Sequence, residues 1–120
     1  YLQYAYARVQ SLLDRAAAEA AQPAAQPAPL VLSTPVEKAL ALQLLQYPAT
    51  VLRAANAYKP AVLADYLFAL SQTYSSFYQR SPVLKSDPAT RASRLRLCEL
   101  FGRVLAAGLG LLGIQTPNRI

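Results

Sequence analysis

The last third of the chain constrains its fold most, because it carries the start signal, the apolar pattern and the stop signal of one long helix. Asp87 is a good N-cap, and Pro88 suits the first helical position, where no N–H is needed. Gly113 is typical of the residue that follows a helix, and Pro117 prevents its resumption. In between, apolar residues and one glycine recur at helical spacing: Leu97, Phe101, Val104, Leu105, Gly108, Leu111 and Leu112. So wide a stripe predicts a helix with neighbours on several sides, the spine of an all-helical domain.

Two glycines inside that helix predict close packing. Gly108 and Gly110 each lower helix propensity by about 1 kcal/mol relative to alanine, so we expect them where another backbone comes near. Cys98, the single cysteine of the chain, lies on the same helix. We expect its thiol to pack in or beside the core.

Two further helices are predicted at the start of the chain. The first runs from Tyr1 to about Ala20. Thr34 begins the second as an N-cap, with Pro35 at the first helical position and Glu37 three residues after the cap. The residues expected to point inward recur at helical spacing: Leu2, Ala5, Val9, Leu12, Leu13 and Ala16 on the first helix, and Val36, Leu40, Leu44 and Leu45 on the second.

Proline residues divide the middle of the chain into two more helices. The pair Tyr47-Pro48 starts a short third helix that ends near Ala57, and a fourth runs from Pro60 to about Arg80. The core face of the fourth helix carries Leu63, Tyr66, Leu67, Leu70, Tyr74 and Phe77. The prediction is therefore an all-α bundle of about five helices with the last one central. Residues 22–33, rich in proline, alanine and glutamine, are predicted to form a flexible loop after the first helix.

Length and composition limit the kinds of site that the chain can form. Its 120 residues suit one domain, residues 1–120. With no histidine and one cysteine we expect no metal site, and the commonest general base is missing, so no catalytic residue is assigned. No stretch is long and apolar enough to span a membrane, so we expect no membrane partner and a cytoplasmic location. The start, Tyr-Leu-Gln, has no initiator methionine, which suggests a fragment of a larger protein.

The charge and the tyrosine content favour a nucleic-acid ligand. The net charge is +6, and most of the basic residues are arginines, whose planar fork donates two parallel hydrogen bonds to phosphates and bases. Eight tyrosines add surfaces on which bases can stack. The alternative is that the charge is incidental and that the chain is a basic helical protein-interaction module.

One face of the first helix carries the residues best suited to such a ligand. Tyr1, Tyr4, Arg8, Ser11 and Arg15 share a face about a third of a turn away from the apolar stripe. On the fourth helix, Tyr78 lies at the border of the core face, where its ring can pack while its hydroxyl reaches solvent.

The last helix carries arginines in two different settings. Arg96, Glu99 and Arg103 are spaced to form exposed ion pairs along the helix. Arg91 and Arg94 lie toward the apolar side instead, so each needs a partner. That partner is either an acid such as Asp65 or a bound phosphate, and the sequence leaves both open.

Six segments, in this order along the chain, resemble one family. They are Tyr-Leu-Gln-Tyr-Ala-Tyr-Ala-Arg (1–8), Leu-Gln-Tyr-Pro (45–48), Lys-Pro-Ala-Val-Leu-Ala-Asp-Tyr-Leu (59–67), Ser-Phe-Tyr-Gln-Arg-Ser-Pro-Val-Leu (76–84), Arg-Ala-Ser-Arg-Leu-Arg-Leu (91–97) and Leu-Leu-Gly-Ile-Gln-Thr-Pro-Asn-Arg-Ile (111–120). Together they look like the C-terminal anticodon-binding domain of arginyl-tRNA synthetase, of the DALR type. The resemblance covers nearly the whole chain except residues 22–33.

The resemblance implies a helical bundle that binds the anticodon loop of arginine tRNA. The parent enzyme would be a class I synthetase that uses ATP with magnesium to join arginine to the tRNA. Its ATP-binding signatures, of the His-Ile-Gly-His and Lys-Met-Ser-Lys types, are absent here. By this resemblance the chain alone is inactive and needs no cofactor, and its partners are the tRNA and the catalytic domain of the same polypeptide. We expect a monomer.

The resemblance also points to site residues. The family's pattern of a tyrosine, three residues and an arginine falls on Tyr4 and Arg8, its Phe-Tyr pair falls on Phe77 and Tyr78, and its C-terminal residue falls on Ile120. The residues assigned to RNA binding are therefore Tyr1, Tyr4, Arg8, Tyr78, Arg119 and Ile120. The hypothesis is that Tyr4, Arg8, Tyr78 and Ile120 meet in one anticodon pocket.

Overall fold

In a computed structural model the chain forms five α-helices, and the structure describes residues 1–19, 30–83 and 86–114. The helices are α1 (Leu2–Glu19), α2 (Pro35–Leu45), α3 (Tyr47–Ala57), α4 (Pro60–Arg80) and α5 (Pro88–Leu111). The described ranges contain no strand, and the predicted all-α class is confirmed. The segment predicted to be flexible, 22–33, falls outside these ranges except at its end, where the Val31 N–H donates to Ser93 Oγ at 2.8 Å.

The predicted helix signals at both ends of α5 are confirmed. The carboxylate of Asp87 accepts a hydrogen bond from the Thr90 N–H at 3.2 Å. Hydrogen bonding from the Thr90 side chain, and then from the Thr90 N–H, holds the pKa of that carboxyl below its ordinary value. Gly113 follows the helix with a φ of +77°, which is favourable for glycine. The Ile114 N–H then donates to the Leu109 carbonyl at 2.9 Å, and the Gly113 N–H to the Gly110 carbonyl at 3.0 Å. These two bonds satisfy carbonyls that the helix end would otherwise leave free.

The end of α3 uses the same backbone geometry without a glycine. Tyr58 has a φ of +53°, and the Lys59 N–H donates to the Ala54 carbonyl at 3.0 Å. A left-handed conformation costs a residue with a Cβ on the order of 1 kcal/mol. Because no glycine or asparagine stands at this position, the sequence carries no local signal for it.

Helix α4 is the element that packs against every other helix. It contacts α1, α2, α3 and α5, whereas α5 packs against α1, α2 and α4. The sequence predicted that the last helix is central, and the structure divides that place between α4 and α5. The predicted core face of α4 is confirmed, since all six of its residues are buried.

The contact between α4 and α5 is close and apolar. A Cβ built on Gly108 would lie 2.7 Å from a methyl carbon of Leu67, so a neighbour does come close at Gly108, but it is a side chain rather than the predicted backbone. The prediction is wrong for Gly110, because no atom of residues 1–19, 30–83 or 86–114 is found within 4 Å of its Cβ position. Leu111 is also wrongly predicted as part of the buried stripe. At 100° per residue it stands about a third of a turn from Leu105, and it is 63% exposed.

Helix α2 shows a similar limit of the apolar pattern. Leu40 and Leu44 are buried as predicted, but Leu45 is 76% exposed. Leu45 is five positions beyond Leu40, so at 100° per residue its side chain points about 140° away from the direction of Leu40, which faces the core. The inward direction is shared instead by Glu37, which is fully buried.

Candidate nucleic-acid interface

Helices α1 and α4 enclose an open groove of about 1050 Å³, called the α1–α4 groove below. From α1 it is lined by aromatic and polar side chains that recur at helical spacing, namely Tyr1, Tyr4, Arg8, Ser11, Asp14 and Arg15. From α4 it is lined by the last turns of that helix, at Tyr74, Ser75, Tyr78 and Gln79. The groove therefore combines aromatic rings, guanidinium groups and short polar side chains.

The α1 side of the groove is solvent-accessible because the core takes a different face of the helix. Val9, Leu12 and Ala16 are buried, whereas Tyr4 is 58% exposed and Arg8 lies one helical turn beyond it, also exposed. At this spacing the phenol ring of Tyr4 and the guanidinium of Arg8 can act on one ligand group.

The α4 side supplies a buried aromatic floor. Tyr74 is 7% exposed, and its ring stacks on that of Phe101 with centroids 4.1 Å apart and planes 5° apart. Its hydroxyl donates to the Cys98 thiol at 3.6 Å. Tyr78, one turn further along α4, is 39% exposed, and its ring centroid lies 6.3 Å from that of Tyr74. Tyr74 is thus fixed from below by the core, and Tyr78 stands at the edge of the groove.

The charges along the groove are mostly positive. Arg8 and Arg15 contribute two guanidiniums, and Asp14 contributes one carboxylate, which accepts a hydrogen bond from Gln10 Nε2 at 3.2 Å. Burial raises the pKa of the Tyr74 hydroxyl, contact with Cys98 raises it further, and the Arg8 guanidinium acts in the opposite direction.

At the end of the groove where α1 begins, Tyr1 makes an aromatic contact with α4. The rings of Tyr1 and Phe68 have centroids 5.3 Å apart and planes inclined at 52°. Tyr1 nevertheless keeps 62% of its surface exposed, so one face of its ring is available to a ligand.

The structure brings together four of the six residues assigned to RNA binding. Tyr1, Tyr4, Arg8 and Tyr78 all line the α1–α4 groove. Arg119 and Ile120 lie outside the residues that the structure describes, so the place of Ile120 in a shared pocket stays a prediction.

Several lining residues were not assigned from the sequence. Asp14 follows Ser11 by three residues, and Ser75 and Gln79 flank Tyr78 on α4. Helical spacing was a usable signal for Asp14. No local pattern, however, indicates which face of α4 borders a groove, because that depends on where α1 packs.

The partner of Arg94 is an acid, although not the one suggested by the sequence. Arg94 Nη2 lies 3.5 Å from Glu37 Oε1, and Arg94 Nη1 donates to the Pro82 carbonyl at 2.7 Å. Asp65, the acid named above, is exposed on α4.

The expectation for Arg91 stays a prediction. The ion pairs predicted around Glu99 are confirmed, with its Oε1 at 2.9 Å from Arg96 and 2.7 Å from Arg103. Of the three side chains, Arg103 is exposed as predicted, whereas Arg96 and Glu99 are partly buried.

The described residues contain neither a metal-binding cluster nor a membrane-spanning helix. Within residues 1–19, 30–83 and 86–114, no three histidine, cysteine or acidic side chains come together in a group able to hold a metal ion. None of the helices described above has the length and apolar character needed to cross a lipid bilayer.

Known proteins similar to this chain share one description. The arginine–tRNA ligase of Cellvibrio japonicus is 43% identical over 122 residues, and that of Streptomyces coelicolor is 47% identical over 121 residues. Both alignments cover the whole of this chain but only 21% and 20% of those proteins. The chain therefore spans about a fifth of the length of the relatives it matches.

A solved structure and a family model lead to the same group. The Thermus thermophilus arginyl-tRNA synthetase superimposes with a TM-score of 0.87 at 38% identity, over all of this chain and 21% of that one. The family model for the DALR anticodon binding domain matches residues 2–120. On these grounds the chain belongs to the DALR anticodon-binding domain family.

Proposed function

We propose that residues 1–120 form a single domain that binds the anticodon loop of arginine tRNA in the α1–α4 groove. The observation that carries the proposal is the groove itself, in which two exposed tyrosine rings, Tyr1 and Tyr4, are followed by the guanidiniums of Arg8 and Arg15 along one helix face. Family membership supports the ligand class, since the relatives similar over the whole chain are arginine–tRNA ligases.

The groove has the chemistry that single-stranded RNA needs. Loop bases are splayed out, stacked on aromatic side chains and hydrogen-bonded at their edges. Tyr4 and Tyr78 offer accessible rings on opposite sides, and Tyr74 closes the floor between them. Arg8 and Arg15 supply the cations that bind phosphates or base edges. In the proposal Arg119 and Ile120, at the end of the chain, complete the site.

The ligase activity is assigned to a polypeptide longer than this chain. We propose that the whole protein is a class I arginine–tRNA ligase, a cytoplasmic monomer whose catalytic domain uses ATP with magnesium. That cofactor supplies the activation of arginine. The residues of this chain bind the tRNA and hold it in position relative to the catalytic domain. We assign none of them to the chemical step.

Binding of a short RNA tests the proposal directly. The 120-residue chain is titrated into a fluorescent anticodon stem-loop of arginine tRNA, and in parallel into the same stem-loop with another anticodon. We expect tighter binding to the arginine loop. We also expect the logarithm of the affinity to fall with the logarithm of salt concentration by about 0.7 for each phosphate contact.

Two results would contradict the proposal in different ways. Equal binding to both loops would leave only a general basic surface. Absence of binding at low salt, with the helical circular dichroism spectrum intact, would favour the alternative of a protein-interaction module.

A further inference from the structure

Two oppositely charged side chains from α2 and α5 meet in the interior beside the turn that follows α4. Glu37 is fully buried, and the side chain of Arg94 is 12% exposed. Arg94 Nη2 lies 3.5 Å from Glu37 Oε1, and Arg94 Nη1 donates to the Pro82 carbonyl at 2.7 Å. One guanidinium thus joins three parts of the chain: α5, the start of α2 and the turn after α4.

The carboxylate of Glu37 is itself held in one position. Glu37 Oε1 accepts hydrogen bonds from the hydroxyls of Thr34 at 2.7 Å and of Ser33 at 3.3 Å. The Thr34 hydroxyl also accepts from the Glu37 N–H at 3.3 Å, so the acid belongs to the cap of α2. Because a buried charge is costly without a partner, an anchored carboxylate strongly favours one position of the arginine.

The turn that Arg94 holds comes directly after the groove residues of α4. Tyr78 lies in the last turn of that helix, which ends at Arg80, and Pro82 is four residues beyond Tyr78. Ser81 and Val83, on either side of Pro82, are buried, and the Ser81 N–H donates to the Phe77 carbonyl at 2.9 Å. The path of the chain leaving α4 therefore depends on a contact from α5, the hydrogen bond that Arg94 donates to the Pro82 carbonyl.

We infer that Arg94 is a positioning residue for RNA recognition: with Glu37 it anchors the turn after α4 and thereby sets the position of the Tyr78 ring in the α1–α4 groove. The expected effect on RNA affinity rests on the proposed function. The geometric part, that the ion pair sets the position of Tyr78, can be tested without RNA.

The substitution that tests this is Arg94→Lys. Lysine keeps the positive charge, but its single ammonium replaces a fork that reaches the carboxylate and the carbonyl at once. Arg103→Lys is the matched control, because Arg103 lies on the same helix and is 67% exposed beside Glu99. We expect Arg94→Lys to weaken binding of the arginine anticodon stem-loop by about three- to tenfold. This is only part of the loss expected when a stacking ring is removed altogether, because the Tyr78 ring is displaced but still present. We expect Arg103→Lys to bind like the original chain, with the same salt dependence in both variants.

A double-mutant cycle separates positioning from general destabilisation. If Arg94 acts through Tyr78, then Tyr78→Ala/Arg94→Lys binds no more weakly than Tyr78→Ala alone. The losses from Arg94→Lys and Tyr4→Ala should multiply, since Tyr4 stands on α1. A loss from Arg94→Lys that also multiplies with Tyr78→Ala would overturn the inference.

The position of Tyr78 can be followed by ¹⁹F NMR of the chain labelled with 3-fluorotyrosine. The Tyr78 signal is identified by its absence in Tyr78→Phe. We expect it to shift or broaden in Arg94→Lys and to stay unchanged in Arg103→Lys. If Arg94→Lys does not fold, Glu37→Gln replaces it, with a smaller shift expected because the Pro82 contact is kept. An unchanged Tyr78 signal in the folded variant overturns the inference.

Failure of the inference and failure of the proposed function give different results. If the original chain does not discriminate between anticodons while the Tyr78 signal responds to Arg94→Lys, the function is wrong and the positioning role stands. If the original chain discriminates between anticodons, and Arg94→Lys changes neither the RNA affinity nor the Tyr78 signal, only the positioning role is wrong.

Discussion

Helix α4 has two faces that differ in what they pack against, although the same helix supplies both. Toward α5 it forms an apolar seam, in which Leu67 lies against Gly108 and Tyr74 stacks on Phe101. Toward α1 it forms the α1–α4 groove, where Ser75, Tyr78 and Gln79 stay accessible. The seam is close because a glycine removes a side chain, and the groove is open because α1 presents large polar ones. The distance to the neighbouring helix thus distinguishes the packed face of α4 from the face that we propose to bind RNA.

Tyr74 belongs to both faces and links the groove to the core. Its ring is stacked on Phe101 in the seam, and the same residue lines the groove. Substitutions in the seam should therefore change the free energy of unfolding. Substitutions of exposed groove residues should change RNA affinity and leave that free energy nearly unaltered.

The largest effect is expected for Leu105→Ala in the core. Leu105 is fully buried on α5, so its truncation should lower the free energy of unfolding by about 2–5 kcal/mol, through lost burial and the cavity left behind. Urea denaturation of the chain measures it. Leu111→Ala is the control on the same helix and should stay within about 0.5 kcal/mol of the original, because Leu111 is exposed. Equal losses from both would mean that the burial of α5 is wrongly assigned.

Tyr4→Ala should show the opposite behaviour in the groove. Loss of a stacking ring should weaken binding of the arginine anticodon stem-loop by about 1–3 kcal/mol. Because Tyr4 is mostly exposed, the midpoint of urea denaturation should hardly move. Fluorescence anisotropy measures the change in affinity, with the arginine anticodon stem-loop and with a stem-loop that carries another anticodon. If Tyr4→Ala still distinguishes the two stem-loops as well as the original chain does, Tyr4 is not part of the site.

Gly108→Ala tests how close the seam is. The added Cβ would meet the Leu67 methyl carbons at 2.7 and 2.8 Å, and Leu67 is fully buried, with little room to move. The net result should be a loss of about 1–2 kcal/mol, the strain being partly offset by the better helix propensity of alanine. Gly110→Ala, with open space around its Cβ, should instead gain up to about 1 kcal/mol. A gain from both would show that the seam can relax.

The smallest expected effect is a difference in pH dependence caused by Cys98. Burial raises the pKa of the Cys98 thiol from 9.0 to about 11. The unfolded chain therefore ionises first, so the contribution of the thiol to stability is complete below pH 9.0 and is lost as the pH rises through about 11. Cys98→Ala should remove about 1 kcal/mol of that alkaline loss near pH ~10. Urea denaturation of the original chain and of Cys98→Ala across this pH range gives the change in unfolding free energy with pH for each. The same change in both chains would mean that the thiol is in contact with solvent.

Much of the fold and of the α1 side of the groove could be predicted from the sequence, because the signals are local. A cap and its partner lie three residues apart, as at Asp87 and Thr90, and an apolar stripe repeats within one or two turns. The same periodicity separated Tyr4 and Arg8 from the buried face of α1. The resemblance to the anticodon-binding family rested on short segments in order along the chain, and the family is confirmed.

What only the tertiary structure decided involves residues far apart in sequence. Leu45 and Leu111 carry the same side chain as Leu44 and Leu105, and the packing of neighbouring helices decided which of them is buried. Arg94 was recognised as needing a partner, but local spacing contains no information on the direction of α2, which brings Glu37 to it. The groove exists for the same reason. Helical period fixes which residues share a face, and only the docking of α1 beside α4 determines that two such faces meet.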